Sequence, residues 1–401
     1  LRKHLAVSYD NGIVFTNGYS LLYYNKDTNS IVNYIPLFKI MKTREKKVTY
    51  YAWVNGASNT EATYLTKVTT GASVNVYAAD YQKQSTKGSI TTKEDGTTIL
   101  TWGGREYTRT PSADPDIRTE YEPYYEGIPI VANAIASYKG RLWLACNELP
   151  KTAIKAIFEV NEDGETTSTT YQKLTDKDYE LYKNVLVYSG VGLGITTDTW
   201  TEGVEEDDAG YFANFFEDYS SFTALMPWTE YLAVHKLQNT YLLDGTSPDS
   251  SDWELKPYSD NSTDGQQGIV IANNSYYTYC RKSGGIYPLV QRSVYNTTFQ
   301  GAELSAKIKD SLEYVDLTKL DCIYAAYHPL KGYVMFYMPT LINGKSNHCY
   351  IYDIKSKTWL YREIPQNPTR VFRFDNDIYI GTEDGEVLKE FSGKTFNGKP
   401  I

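Results

Sequence analysis

Leu5-Ala6-Val7-Ser8-Tyr9, the turn Asp10-Asn11-Gly12, Ile13-Val14-Phe15-Thr16, the turn Asn17-Gly18 and Leu21-Leu22-Tyr23-Tyr24 follow one another near the start of the chain. Apolar and polar residues alternate within each run, the period of a half-buried strand. Asn-Gly between two such runs is the strongest short hairpin signal, because both residues tolerate positive φ. A fourth run, Ile31 to Leu37, completes an antiparallel meander. One small sheet cannot bury both of its faces, so the rest of the chain must supply its neighbours.

The rest of the chain repeats the unit. Ala134-Ile135-Ala136-Ser137-Tyr138, the turn Lys139-Gly140 and Arg141-Leu142-Trp143-Leu144-Ala145 lead to Ala156 through Val160, which the spacing places in the same unit. The turn Glu162-Asp163-Gly164-Glu165 then opens another polar strand. A second unit holds Val185 to Ser189 with Thr199-Trp200, and a third runs Phe222 to Leu225, Tyr231 to His235, Thr240 to Gly245 and Trp253 to Leu255. A fourth runs Gly268 to Ile271, Ser275 to Tyr279 and Gly285 to Leu289. A fifth covers Cys322 to Tyr327, Gly332 to Tyr337, His348 to Asp353 and Thr358 to Tyr361. The last has Arg370 to Phe374, Ile378 to Gly381 and Glu386 to Phe391, and its shortness predicts completion by an N-terminal strand that closes a ring. Four-stranded units of about 40 residues are the signature of propeller blades, which bury one another's faces around an axis. The reading is therefore all-β, a β-propeller of about six to seven blades, with a two-sheet β-sandwich as the competing architecture.

Two stretches interrupt the repeat. Residues 42–118 are Thr-rich and strand-like (Val48 to Val54, Ser73 to Tyr77, Thr98 to Trp102), which predicts a β-rich insertion near the N-terminus. Residues 106–130, with Pro111, Asp114-Pro115-Asp116, Pro123 and Pro129, read as an extended linker. The chain thus divides into a first blade (1–41), an insertion with linker (42–130) and the remaining blades (131–401). One helix is predicted, Glu303 to Glu313, where Leu304, Ile308 and Leu312 make a one-sided apolar stripe.

The composition fits this reading. Among 401 residues, 38 are Tyr and 7 Trp against 4 Met, which favours pleated strands and contact surfaces over helices. A net charge of −9 argues against a general nucleic-acid binder, which carries a basic face, while leaving room for a channel that nucleic acid passes without sticking. Cys146, Cys280, Cys322 and Cys349 are too far apart for CxxC pairs and read as small buried hydrophobes. No run of 18 apolar residues predicts a transmembrane helix. Leu1-Arg2-Lys3-His4-Leu5 has neither an initiator Met nor a signal-peptide core, so the sequence is expected to be a segment of a longer or processed protein.

Candidate chemistry is sparse. His4, His235, His328 and His348 form no HxH or HExxH pattern and read as structural. Ser189-Gly190-Val191-Gly192-Leu193-Gly194 lacks the helix and the Lys-Ser/Thr of a phosphate loop. Asp260-Asn261-Ser262-Thr263-Asp264-Gly265 begins like a calcium loop, but Ile271 stands where the bidentate Glu is needed. The acidic run Glu202 to Asp208 reads as a solvated loop, and Ser247-Pro248-Asp249-Ser250-Ser251-Asp252-Trp253 resembles the Asp-box turn of sialidase propellers without its central Gly. No catalytic, cofactor-binding or metal-binding residue is predicted, and no cofactor.

A wider resemblance lies in the blade motifs. Ser137-Tyr138-Lys139-Gly140-Arg141-Leu142-Trp143-Leu144-Ala145 is similar to the y-x-G-R-L-w-v-a strand pair of phage tail propellers, and Val187-Tyr188-Ser189 with Trp200 to the segment that follows it. Ala224-Leu225, Leu232 to Lys236, Tyr241 to Gly245 and Gly284-Gly285-Ile286-Tyr287 resemble the next blades. Leu304-Ser305, Tyr327-His328-Pro329, Tyr352-Asp353 and Trp359 resemble the ending. The family is the tail nozzle, hub and packaged-DNA stabilisation propellers of short-tailed, podovirus-like phages, crAss-like phages included, and the likeness covers residues 130–392. It implies a structural virion protein located in the tail, without enzymatic activity. Copies would form a homo-oligomeric ring beside other tail or portal-associated proteins, around a channel that retains and passes genomic DNA without specific binding and without a membrane span. The alternatives are a receptor- or glycan-binding propeller, with exposed Tyr and Trp stacking on sugars, and a carbohydrate-active enzyme with paired carboxylates in its mouth.

Overall fold

Hairpins form where the sequence supplies residues that accept positive φ. Lys139 and Gly140 take φ of 50° and 73°, and Asn273 and Asn274 take 50° and 60°, the two-residue turns that match the twist of the flanking strands. The computed structural model describes all residues except 1–4, 19, 35, 56–61, 67–70, 110–114, 162–164, 193–199, 204–206, 214–217, 248, 290–302, 393–394, 397–398 and 401.

The hairpins assemble into six small sheets in a ring, a six-bladed β-propeller. Blade 1 comprises Leu5–Tyr9, Gly12–Thr16, Leu21–Asn25 and Ser30–Tyr34. Blade 2 comprises Ala134–Tyr138, Arg141–Cys146, Val185–Tyr188 and Gly210–Phe212. Blade 3 comprises Phe222–Trp228, Tyr231–Lys236, Thr240–Asp244 and Glu254–Ser259, and blade 4 Ile269–Ala272, Ser275–Cys280 and Gly285–Leu289. Blade 5 comprises Tyr324–His328, Tyr333–Met338, His348–Asp353 and Thr358–Glu363, and blade 6 Pro368–Phe374, Asp377–Thr382 and Val387–Lys389. The first strands of successive blades pack on one another, blade 1 on 2, 2 on 3, 4 on 5 and 5 on 6. The second strands of blades 2 to 5 are covered on both faces, so Arg141–Cys146 is buried along its whole length, whereas the outermost strand Thr358–Glu363 is largely exposed. At the rim of blade 2, Gly210 is required because any Cβ there would collide with the Tyr188 ring.

Four expectations are corrected. Ile154–Val160 does not complete blade 2; Arg141–Cys146 pairs instead with Val185–Tyr188, so two supposed units are one blade. Blade 6 gains no N-terminal strand among the described residues, because Leu5–Tyr9 is the first strand of blade 1. Where an extended linker is expected over 106–130, Arg105–Arg109 and the 14-residue Asp116–Pro129 are strands, and residues 110–114 lie outside the described residues. Backbone pairing on both sides outweighs the proline signal here, since Pro123 and Pro129 are accommodated within Asp116–Pro129. The expected helix is shorter than predicted, a 3-10 turn Ser305–Ile308 followed by one α turn, Lys309–Leu312; Leu304, Ile308 and Leu312 face a common core.

The chain separates into two compact units: residues 1–40, 126–157 and 169–401 form the propeller unit, and 41–125 with 158–168 form the second. The second unit has its own core of Trp53, Leu65, Val76, Ile90, Leu100 and Tyr107. Its framework is the 18-residue strand Leu37–Val54 beside Asp116–Pro129, in a nine-stranded sheet that also contains Thr166–Lys173, Ile154–Val160 and four shorter strands in its path. One face of these strands is charge-paired. Arg44 donates to Glu122 at 2.7 Å and to both Glu159 oxygens at 2.9 and 2.6 Å, and Lys46 donates to Glu122 at 2.5 Å.

Candidate functional site

The inner strands of a propeller converge where they begin, and their backbone ends must be satisfied there. In the propeller unit a cavity of about 540 Å³ opens at this point, lined by the start of the inner strand or the adjoining loop in blades 1 to 5. Side-chain amides and hydroxyls stitch neighbouring blades together around it. Asn147 of blade 2 donates to the Phe222 carbonyl of blade 3 at 3.0 Å and accepts from the Phe222 N–H at 2.6 Å, as a paired strand would. Asn133 accepts from the Asn147 N–H at 3.0 Å, and the Thr16 hydroxyl donates to the Ala132 carbonyl at 2.5 Å. Gln266 ahead of blade 4 donates to the Ile135 carbonyl at 2.8 Å.

The charges of this mouth come from Glu148, Asp264 and Asp321, and its lining contains no Lys or Arg. Asp264 is spoken for, since Arg281 donates to it at 2.8 Å. The mouth is therefore a polar, acidic seam whose amides hold blades in register. Asn147→Ala leaves the Phe222 N–H and carbonyl without their partner and is expected to cost about 1–3 kcal/mol in urea unfolding.

The histidines are dispersed. His4 lies outside the described residues. His235 is fully buried, stacked on Tyr276 at 5.5 Å, with Thr240 at 2.9 Å and Ser262 at 3.2 Å from one ring nitrogen and the Tyr276 hydroxyl on the other. Burial pushes its imidazole down to about 3, so it stays neutral near pH 7. His328 sits beside Phe391 in blade 5, and His348 opens the third strand of that blade.

The other motifs serve the fold. Ser189 accepts from the Leu142 N–H at 2.9 Å and lies 3.1 Å from the Tyr9 hydroxyl; Leu193 and Gly194 of its Gly-rich stretch lie outside the described residues. In the calcium-like turn Asp260 binds Lys282 at 2.7 Å while Asp264 binds Arg281, so its carboxylates diverge. In the acidic run the Glu202 N–H donates to the Lys39 carbonyl at 2.8 Å, and residues 204–206 lie outside the described residues. In the Asp-box-like turn Asp249 caps a short 3-10 turn and the Trp253 indole donates to the Ser247 carbonyl at 2.7 Å, with Pro248 outside the described residues. All four cysteines are free and three are buried, where desolvation pushes the Cys146 thiol up to about 11 and the Cys349 thiol to about 12. Among the described residues no three potential metal ligands converge, and no helix is long and apolar enough to cross a membrane.

Two buried charge sites escaped the sequence reading. Lys155 pairs with Glu126 and, at 3.1 Å, with Asp178, all three side chains at most 10% exposed. The visible signals were Thr175-x-x-Asp178, a helix-capping pattern that the structure realises in full, and a lone acid at the head of the apolar run Gly127 to Ala132. Arg141 of blade 2 is 2% exposed and donates to the Ser189 and Asp208 carbonyls at 2.7 and 2.6 Å. Its guanidinium lies 5.3 Å from the Tyr188 ring and 5.1 Å from Trp253.

No family model matches the chain, and no curated protein matches it in sequence. Solved structures aligned with it include BamB from Moraxella catarrhalis (9% identity, 96% of this chain and 95% of that one, TM-score 0.32). A putative 6-phosphogluconolactonase from Bacteroides fragilis aligns at 8% identity over 97% and 93% of the two chains (TM-score 0.32), and AztD of Citrobacter koseri at 11% over 90% and 94% (TM-score 0.33). At such scores these likenesses carry no functional argument, and the fold rests on the sheets themselves.

Proposed function

We propose that this chain is a structural virion protein, a propeller without enzymatic activity that forms, with further copies of itself, a ring in the tail of a short-tailed phage around the DNA channel. The blade motifs described above support the family. The observation that carries an assembly role is the second β unit. On Asp116–Pro129 the charged face pairs with Arg44 and Lys46, while Ile117, Thr119, Tyr121 and Pro123 alternate onto the other face and are exposed. Ile117 is 60% and Tyr121 69% exposed, an uncharged stripe of the composition that protein interfaces use. The net charge of −9 keeps affinity for DNA phosphates low, as a passage requires.

The purified protein is expected to form a discrete symmetric oligomer in light scattering and cryo-EM, because closed homo-oligomers repeat one contact around an axis. The double substitution Ile117→Asp/Tyr121→Asp is expected to shift it toward monomers with the fold intact. A monodisperse monomer that cleaves a glycan would sink this reading.

A further inference from the structure

The flank of blade 5 holds a second cavity, of about 330 Å³, unrelated to the axial mouth and within the size range of small-ligand sites. Aromatic rings build it. Tyr350 and Tyr361, cross-strand neighbours, have centroids 5.4 Å apart at 53°, and His348 meets Tyr361 at 5.5 Å and 66°. The rings therefore form the corner of a box rather than a flat platform. Tyr314 and Ile342 line it too, 59% and 73% exposed. The two are held side by side because the Leu341 N–H donates to the Tyr314 carbonyl at 2.8 Å and Val315 bridges Thr340. Asp310 contributes the carboxylate, and no Lys or Arg lines the cavity.

Internal hydrogen bonds fix the floor. The Tyr350 hydroxyl donates to the Ser311 carbonyl at 3.1 Å, and the Tyr361 hydroxyl lies 2.9 Å from Nδ1 of His348, which is 9% exposed. Two of the three tyrosine hydroxyls are thus already engaged. A sugar would bring several hydroxyls to a site with few partners left, and a primary ammonium would need three acceptors. A methylated ammonium needs neither: its diffuse charge is held by ring faces and one nearby carboxylate.

We propose that this aromatic box binds a quaternary ammonium group of the choline type. The chemistry is the same whether the group is a free choline-like solute or a phosphatidylcholine headgroup.

Calorimetric titration of the full chain with choline tests it, alongside 3,3-dimethyl-1-butanol, the uncharged isostere. Choline is expected to bind saturably, and the isostere about tenfold more weakly or less well still. Tyr314→Ala is expected to weaken choline about fivefold, and Tyr314→Phe, which keeps the ring, to bind as the unmodified chain does. Asp310→Asn is expected to weaken it about threefold. Co-sedimentation with phosphatidylcholine but not phosphatidylglycerol vesicles would assign the lipid source; choline binding without co-sedimentation would assign the solute. Absence of saturable choline binding overturns the proposal. So does equal binding of the isostere, indifference to both the Tyr314→Ala and Asp310→Asn changes, or capture of methyl glucoside in place of choline.

Discussion

Lys155→Met is expected to cost the fold about 3–5 kcal/mol, because it strands two buried carboxylates without their cation. Glu126 and Asp178 share the one ammonium, and Asp178 is fixed in addition by the backbone N–H and hydroxyl of Thr175 at 2.8 and 2.7 Å. Burial pushes the Lys155 ammonium down, but the two carboxylates outweigh it and hold its pKa above the ordinary 10.5. Its contribution is therefore complete below that value and is lost as pH rises through the raised one. Burial pushes Asp178 up, yet the Thr175 bonds and Lys155 outweigh it and hold it below 3.8. That contribution is present above 3.8 and is lost as pH falls through the depressed value. In the Met variant Asp178 has lost the cation that held its pKa down and gains from protonation, so the deficit should narrow in acid. Urea unfolding at neutral pH and at pH near 4 measures both effects. The triple change Lys155→Met/Glu126→Gln/Asp178→Asn is expected to recover most of the loss, as apolar or neutral replacements of buried ion groups do. A deficit that stays constant with pH would show that lost packing, not charge, dominates.

Arg141→Ala is expected to be comparably severe, about 3–5 kcal/mol, since it combines a cavity with two orphaned carbonyls. The guanidinium packs beside the ring pair of Tyr188 and Trp253, 5.3 and 5.1 Å from their centroids, which themselves lie 5.1 Å apart, with Trp143 4.9 Å from Tyr188. Burial pushes its pKa down, yet its donors remain aimed at Ser189 and Asp208. Lysine is a poor substitute, having neither the planar fork nor the stacking surface, so Arg141→Lys should recover less than half the loss. Denaturant unfolding gives the magnitude, and the near-UV circular dichroism of the Trp143, Tyr188 and Trp253 cluster should flatten in the Ala variant. An unchanged aromatic spectrum would place the cost elsewhere.

The residues that announce turns proved the most readable. Asp10-Asn11 in blade 1, Lys139-Gly140 in blade 2, Asn273-Asn274 in blade 4 and Asp375-Asn376 in blade 6 carry their turn conformation in one or two residues, so these first hairpins follow from local chemistry. Partner choice between distant strands does not. Ile154–Val160 alternates as a third blade strand would, but nothing within it tells that Arg141–Cys146 pairs instead with Val185–Tyr188. The intervening run Thr166–Lys173 is exposed at every position, which the polar sequence does signal; it pairs with Ile154–Val160 just before it, and the pair joins its sheet through the more distant Asp116–Pro129. The surfaces proposed for function were less legible still. Asp310 and Tyr314 come from one helical segment and Tyr350 and Tyr361 from two strands of blade 5, and only folding gives them a common wall. The abundance of Tyr pointed to contact surfaces in general and could not say where.

The interleaving of the two units also dictates an order of synthesis. As the chain emerges N-terminus first, blade 1 is complete by Tyr34, but its lateral neighbour begins at Ala134. The second unit cannot close until residues 158–168 have appeared, by which time the first hairpin of blade 2 is already out and waiting for Val185–Tyr188. Each unit thus suspends the other's completion, and blade 1 must keep one flank uncovered for the time taken to translate a hundred residues, about 5–20 s at ordinary elongation rates. A slowed ribosome would lengthen that interval.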